Sequence, residues 1–195
     1  MKYNSSRKSK NLPVKRIIHL VTEGIKTEPQ YFAVFRSDSY VLKTHKNSGN
    51  ATSPKGLVER AKLIEKANRL SKTDQIWIIS DRDNWTDDHF NLLKNWVDNI
   101  QHNHALSNPS FEYWLLFHFE DINVVSQKDC LNRLRKHIPN YDKNLDMRIF
   151  TKQMIENAVE RAKIREKLAD GDCFYSHGST VYKLVEILIA DNAVL

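Results

Sequence analysis

Three acidic residues stand where a parallel sheet could carry out chemistry. Glu23 comes just after the apolar segment 17–21, and the pair Asp81 and Asp83 comes just after the apolar segment 76–79. Both segments are typical of short buried strands, and ligands bind at the carboxyl ends of the strands in an open parallel sheet. If these strands are neighbours, three carboxylates face one crevice. Two unit charges about 4 Å apart repel by about 4 kcal/mol at an effective dielectric near 20, so such a cluster raises a pKa or binds a cation.

The spacing of Asp81 and Asp83 suits a divalent metal ion. In an extended segment, residues two apart point to the same side, so both carboxylates can reach one ion. Oxygen-only ligands suit Mg²⁺ or Mn²⁺, and such an ion can polarise a phosphodiester and activate water. Glu23 could then act as a general acid or base, or join the metal ligands. The alternative is that all three are ordinary exposed acids at strand ends.

The elements that must position these residues alternate between strand and helix. The patterns predict strands at 17–21, 40–44, 76–79 and 104–107. Helix starts are predicted at Thr27, Ser53, Thr86 and Asn108, with Thr27 and Asn108 as N-caps. This alternation predicts an α/β domain with a mostly parallel sheet. Beyond residue 120 the pattern is helical, near 127–137, 152–169 and 180–190.

The predicted organisation has three parts. Residues 1–16 form a basic flexible arm, residues 17–120 the α/β domain, and residues 121–195 a helical C-terminal extension packed on the same domain. Residues 1–16 contain six Lys and Arg and no acid, which accounts for the whole net charge of +6. A basic arm can bind phosphates, or it can be a solubilising tail.

Composition excludes several classes of protein. The chain has 195 residues, of which 41% are hydrophobic and 28% charged, so a wholly disordered chain is excluded. The N-terminus has no apolar signal core, and the two cysteines, Cys130 and Cys173, cannot build a cysteine-based zinc site. We therefore expect a cytoplasmic protein with no membrane partner.

Three stretches resemble the RloB family of Toprim-related proteins. They are residues 21–32, which read VTEGIKTEPQYF, then Asp81-Arg82-Asp83, and then residues 107–120, which read SNPSFEYWLLFHFE. A Glu-Gly turn after a first strand and an Asp-x-Asp after a later strand are similar to the Toprim domains of topoisomerases, primases and OLD-type nucleases. The resemblance extends weakly to residues 141–143 and 179–181. Thr22 stands where the family more often has Cys, and His177-Gly178 stands where it has Asn-Pro.

The resemblance implies a fold and an activity. The fold is a Toprim-like (Rossmann-like), mostly parallel sheet flanked by helices. The activity is that of a Mg²⁺-dependent nuclease (or one using Mn²⁺) on DNA or RNA, with tRNA among the candidate substrates. The setting is a bacterial antiphage or abortive-infection locus, with an AAA-type ATPase partner encoded nearby, as in the similar AbiL system. A homo-oligomer is also compatible with it.

The resemblance also implies roles for individual residues. The catalytic residues are Glu23, Asp81 and Asp83, and the metal ligands are Glu23, Asp81, Asp83 and Glu112. The residues that support the site or contact substrate are Lys26, Asn108, Glu112 and Lys143. Each has a structural alternative: Lys26 as a solvated loop lysine, for instance, and Glu112 as a buried acid that accepts hydrogen bonds from amides. His118 is expected to be a core histidine.

Two other functions remain open. In phosphatases of the haloacid dehalogenase type an Asp-x-Asp also follows a strand, and Asp81 would then be a nucleophile; that motif, however, usually opens the chain. The chain could also be a latent effector or sensor subunit of an ATPase-containing defence complex. An exposed apolar face on the last helix, carrying Val181, Leu184, Leu188 and Ile189, would mark such docking, but we expect this stripe to pack within the chain.

Overall fold

A computed structural model describes residues 14–47, 52–82, 85–122, 126–169 and 176–190. Asp83, Cys173 and most of the predicted basic arm lie outside these ranges. Arg16, which we placed in the arm, is the first residue of the first strand.

The chain forms one five-stranded sheet with the spatial order β2-β1-β3-β4-β5. The strands are β1 (Arg16–Thr22), β2 (Tyr40–His45), β3 (Gln75–Asp81), β4 (His102–Asn108) and β5 (Gly178–Ser179). The first four are parallel, and β5 pairs with β4 in the antiparallel direction. The predicted α/β class with a mostly parallel sheet is confirmed. Strands β1 and β3 are neighbours, as the expected carboxylate crevice requires.

Strand β5 was not predicted. Its two residues are too few to show a strand period. Ser179 Oγ and Ser107 Oγ are 2.9 Å apart across the pair, and the Thr180 amide donates to Leu106 O over 2.8 Å. The C-terminal part therefore completes the sheet as well as covering it.

Seven helices surround the sheet in the described ranges. They are α1 (Thr27–Phe32), α2 (Pro54–Asn68), α3 (Asp87–Val97), α4 (Phe111–Leu116), α5 (Gln127–His137), α6 (Lys152–Leu168) and α7 (Val181–Ala190), with a short 3₁₀ turn at Met147–Ile149. The predicted starts at Ser53 and Thr86 and the three predicted C-terminal helices are confirmed. Ser53 caps α2 because its Oγ accepts a hydrogen bond from Gly56 N at 3.2 Å.

Two predicted N-caps are wrong. Thr27 is already helical, and Lys26 occupies the N-cap position of α1. Asn108 remains in β4 because its backbone pairs with Gly178. The Asn108–Pro109 peptide is cis, and α4 begins at Phe111 after Ser110.

Apolar side chains cover both faces of the sheet. On one face, Ile18 and Leu20 pack against α1, α4, α6 and α7. On the other, Ile76 and Ile78 pack against α2 and α3. Burial on both faces explains the wholly apolar strands. The apolar residues of α7 belong to the first of these clusters, so the expected packing of this stripe within the chain is confirmed.

No helix within the described ranges combines the length and the apolar character that crossing a bilayer requires.

Candidate functional site

A cleft of about 460 Å³ opens at the carboxyl edge of the sheet. Its walls come from the turn between β1 and α1, the connection before α2, the end of β3, the start of α4 and a loop at residues 142–143. This is the edge where an open parallel sheet binds ligands.

Glu23 and Asp81 meet at this edge, as the sequence predicts. The Glu23 amide donates to Ile79 O over 3.0 Å, which extends the pairing of β1 with β3 by one residue. The Asp81 amide donates to Glu23 Oε2 over 3.1 Å. Both residues are half-buried and line the cleft. Asp83 lies outside the described residues, so its predicted place in the site stays a prediction.

The turn after Glu23 is shaped by Gly24 and Glu28. The Gly24 amide donates to Glu28 Oε1 over 2.9 Å, and Thr22 Oγ1 donates to Gly24 O over 2.8 Å. A Cβ atom at position 24 would overlap the Glu28 carboxylate. Only glycine therefore lets this carboxylate close over the turn without displacement.

Arg60 of α2 supports the same turn from behind. Its two terminal nitrogens donate to Thr22 O over 3.1 Å and to His45 O over 2.9 Å. One guanidinium thereby ties the ends of β1 and β2 together, directly before Glu23. Sequence reasoning missed Arg60, because nothing in a helical pattern shows which strand ends an arginine will reach.

Glu112 lines the cleft with both of its carboxylate oxygens engaged. It is 3% exposed, and it accepts hydrogen bonds from Ser110 Oγ at 2.7 Å and from Tyr141 OH at 3.1 Å. Tyr141 OH also lies 3.2 Å from Thr27 Oγ1. These partners are hydroxyl groups, not the amides that the structural alternative expected. The role of Glu112 as a metal ligand stays a prediction.

Glu28 is a second buried acid in the cleft wall, 6% exposed. Burial raises its pKa, and the charge of Glu112 raises it further. Hydrogen bonds from backbone amides and the charge of Lys143 act in the opposite direction. Our sequence reasoning treated Glu28 only as a first-turn acid. The signal it overlooked was a glycine four residues before an acid, directly after a strand.

The two candidate phosphate-binding lysines line the cleft from different parts of the chain. Lys26 is exposed and precedes α1. Lys143 comes from the C-terminal half, with a left-handed backbone (φ 75°). Thr27 Oγ1 donates to Lys143 O over 3.1 Å, and the Leu145 amide donates to Gln30 Oε1 over 2.7 Å. These bonds fasten the loop to α1, so the C-terminal half completes the cleft.

Asn108 directly follows Ser107, the residue of β4 that pairs with Asp81. It is not among the residues that line the cleft, and its side-chain amide donates to Ser176 O over 3.1 Å. His118 is a core residue, as expected, because it is buried and its Nε2 lies 3.0 Å from Tyr31 OH.

No three His, Cys, Asp or Glu side chains form a group that could hold a metal ion among the described residues. Asp83 stands outside that set. The Mg²⁺ site therefore stays a prediction that rests on Glu23, Asp81 and Asp83.

One comparison with known proteins gives a match. The family model described as RloB-like protein matches residues 18–188, which is most of the chain. Neither the curated proteins nor the solved structures contain a significant match. The matched range includes both the residues before α5 and those that bring Lys143 to the cleft.

Proposed function

The chain belongs to the RloB-like family, and from this premise we propose that it is a divalent-metal-dependent nuclease that hydrolyses phosphodiester bonds in DNA or RNA. One observation carries the proposal. Glu23 and Asp81, which end neighbouring parallel strands, are joined by a 3.1 Å hydrogen bond in one cleft. That places two carboxylates where an α/β sheet binds its ligands.

The donor atoms available at this edge suit Mg²⁺ or Mn²⁺. Glu23 and Asp81 offer carboxylate oxygens, which hard divalent cations prefer. We propose that these two residues and Asp83 would hold the ion. When bound, the ion would supply charge stabilisation at the phosphodiester and lower the pKa of a water molecule.

The remaining cleft residues support handling of phosphate and protons. Lys26 and Lys143 line the cleft and would bind phosphate oxygens. Glu23 would move a proton at the reacting water or leaving oxygen unless the metal occupies it. Hydrogen bonds from the Ser110 and Tyr141 hydroxyls hold Glu112 in the cleft wall.

The biological setting is proposed from the family resemblance. We propose a cytoplasmic antiphage or abortive-infection effector that works with an AAA-type ATPase encoded nearby. A homo-oligomer stays a prediction. A latent subunit that becomes active only with this ATPase remains the alternative.

The test uses the purified full chain with Mg²⁺ or Mn²⁺ and three substrates: plasmid DNA, single-stranded DNA and total tRNA. The double variant Asp81→Asn/Asp83→Asn should lose cleavage by at least about a hundred-fold. The matched control is Asp98→Asn/Asp121→Asn, which neutralises two exposed acids elsewhere and should cleave like the wild type.

Each result has a clear meaning. Cleavage that persists in the Asp81/Asp83 variant would place the activity at another site or in a contaminant. Absence of cleavage by the chain alone, followed by cleavage on adding the ATPase, would favour the latent subunit. A phosphoryl group trapped on Asp81 would instead favour the phosphatase mechanism.

A further inference from the structure

A stripe of basic residues runs along the exposed face of α2. The stripe consists of Lys55, Lys62 and Lys66 within the helix and Arg69 at its C-cap, and all four are exposed. At about 100° per residue, these positions fall within about 60° of one another around the helix axis. They therefore point to one side of the molecule.

The charges of this basic stripe are available to a ligand. Within the described residues, none of the four side chains forms an ion pair. Glu65 of the same helix is bound to His102, 3.1 Å away. Glu59 is the one acid of α2 on its exposed side, so the basic residues outnumber it there.

Helices α6 and α3 differ from α2 in this respect. On α6, Lys152 lies 3.9 Å from Glu156, and Lys163 lies 2.5 Å from Glu186. Helix α3, which packs beside α2, begins with Asp87 and Asp88. The chain has no net charge excess beyond residues 1–16, so the exposed, unpaired cations of α2 are a local concentration of positive charge.

The basic stripe starts at the cleft. Thr52 lines the cleft, and Ser53 caps the helix that follows. Because α2 connects the carboxyl end of β2 to the start of β3, it runs from the cleft edge of the sheet towards the opposite edge. The 14 positions from Lys55 to Arg69 span about 21 Å.

We propose that the basic stripe binds the sugar-phosphate backbone of the nucleic acid whose scissile phosphate occupies the cleft. Its position beside the catalytic edge makes this inference rest on the proposed function. A length of about 21 Å corresponds to about six phosphates at 3.4 Å per nucleotide along one strand of B-DNA. A row of exposed lysines and an arginine matches a polyanion of regular spacing, and backbone contacts of this kind do not select sequence.

The test measures binding without cleavage. Fluorescence anisotropy of labelled 20-nucleotide single strands and duplexes, in EDTA and over a NaCl series, compares the wild type with three double variants. In Lys62→Gln/Lys66→Gln we expect binding weaker by roughly five- to twenty-fold, with the slope of log K against log salt smaller by about 1.8 for a duplex or about 1.4 for a single strand. The control Lys152→Gln/Lys167→Gln removes the same charge from α6, on the other face of the sheet, and should bind like the wild type. Lys62→Arg/Lys66→Arg should restore affinity.

Three results would overturn the inference. They are no binding by the wild type, an equal loss in the α6 control, and unchanged binding in the α2 variant. Cleavage assays on the same proteins with Mg²⁺ separate this from the proposed function. If the chain shows metal-dependent cleavage and the α2 variant binds like the wild type, the role of the basic stripe is refuted and the proposed nuclease function stands. If the α2 variant alone loses binding and no protein shows metal-dependent cleavage, the basic stripe binds nucleic acid and the proposed nuclease function is refuted.

Discussion

The backbone amide of Asp81 donates a hydrogen bond to the carboxylate of Glu23 over 3.1 Å. The residue that ends β3 therefore positions the acid that follows β1, although 58 positions separate them in the chain. Because the donor is a backbone group, the side chain of Asp81 can be changed without removing this bond.

Replacing Asp81 by Asn tests whether its charge serves chemistry or stability. We expect metal-dependent cleavage to fall by at least about a hundred-fold, because the ion loses an anionic ligand. The melting temperature should not fall, since the bond to Glu23 remains and a repulsion between carboxylates is relieved. Parallel cleavage assays and calorimetry check this. A large loss of stability with proportionate loss of activity would show that Asp81 is structural.

The buried carboxyl of Glu28 predicts a pH-dependent stability. Burial raises the pKa of Glu28 above 4.5. Well below pH 4.5 the Glu28 carboxyl is protonated in both the folded and the unfolded state, so it does not affect stability. As the pH rises towards the folded-state pKa, Glu28 ionises in the unfolded chain but not in the folded one, and this lowers the free energy of unfolding. In Glu28→Gln this loss disappears, so the variant should gain stability relative to the wild type as the pH rises from 4 to 8.

Urea unfolding at several pH values measures that gain. The control is Glu59→Gln, which removes an exposed acid of α2. Parallel wild-type and Glu28→Gln profiles would show that Glu28 ionises in the fold as it does in the unfolded chain.

Tyr141 should contribute more stability than a comparable buried tyrosine. Its hydroxyl donates to the buried Glu112 carboxylate over 3.1 Å, whereas Tyr113 OH donates to the neutral Ile122 O over 3.3 Å. Hydrogen bonds to charged groups contribute about 1.5–3 kcal/mol and neutral ones about 0.5–1.5 kcal/mol. Chemical denaturation should therefore find Tyr141→Phe less stable than Tyr113→Phe, and the reverse order would refute the assignment.

The two hydrogen bonds of Arg60 should couple the stability of α2 to that of the turn that carries Glu23. Lysine cannot donate two bonds in fixed directions to Thr22 O and His45 O, so Arg60→Lys should unfold about 1–3 kcal/mol more easily. Amide exchange around residues 22–24 should accelerate as well. Arg69→Lys, an exposed change at the end of the same helix, serves as the control and should alter neither quantity. Unchanged exchange near Glu23 in Arg60→Lys would contradict the coupling.

Local patterns predicted most of the elements correctly. Strands β1, β2, β3 and β4, and helices α2, α3, α5, α6 and α7, follow from apolar period and end signals, which depend on neighbours a few residues away. The misses occurred where a distant partner decided the local structure. The Thr27 hydroxyl does not cap α1 because it donates to Lys143 O. Asn108 stays extended because its backbone pairs with Gly178.

For the site, the sequence by itself determined which residue types end the strands: an acid and a glycine after β1, and an acid at the end of β3. It could not determine which residues from distant parts of the chain contact these strand ends in the folded protein. Only the tertiary structure decided that β1 lies beside β3, that Glu28 and Glu112 are buried in the cleft wall, and that a loop from the C-terminal half brings Lys143 to it. The physical reason is that strand order and burial come from contacts between residues far apart in the chain, whereas periodicity and capping report only on contacts within a few residues.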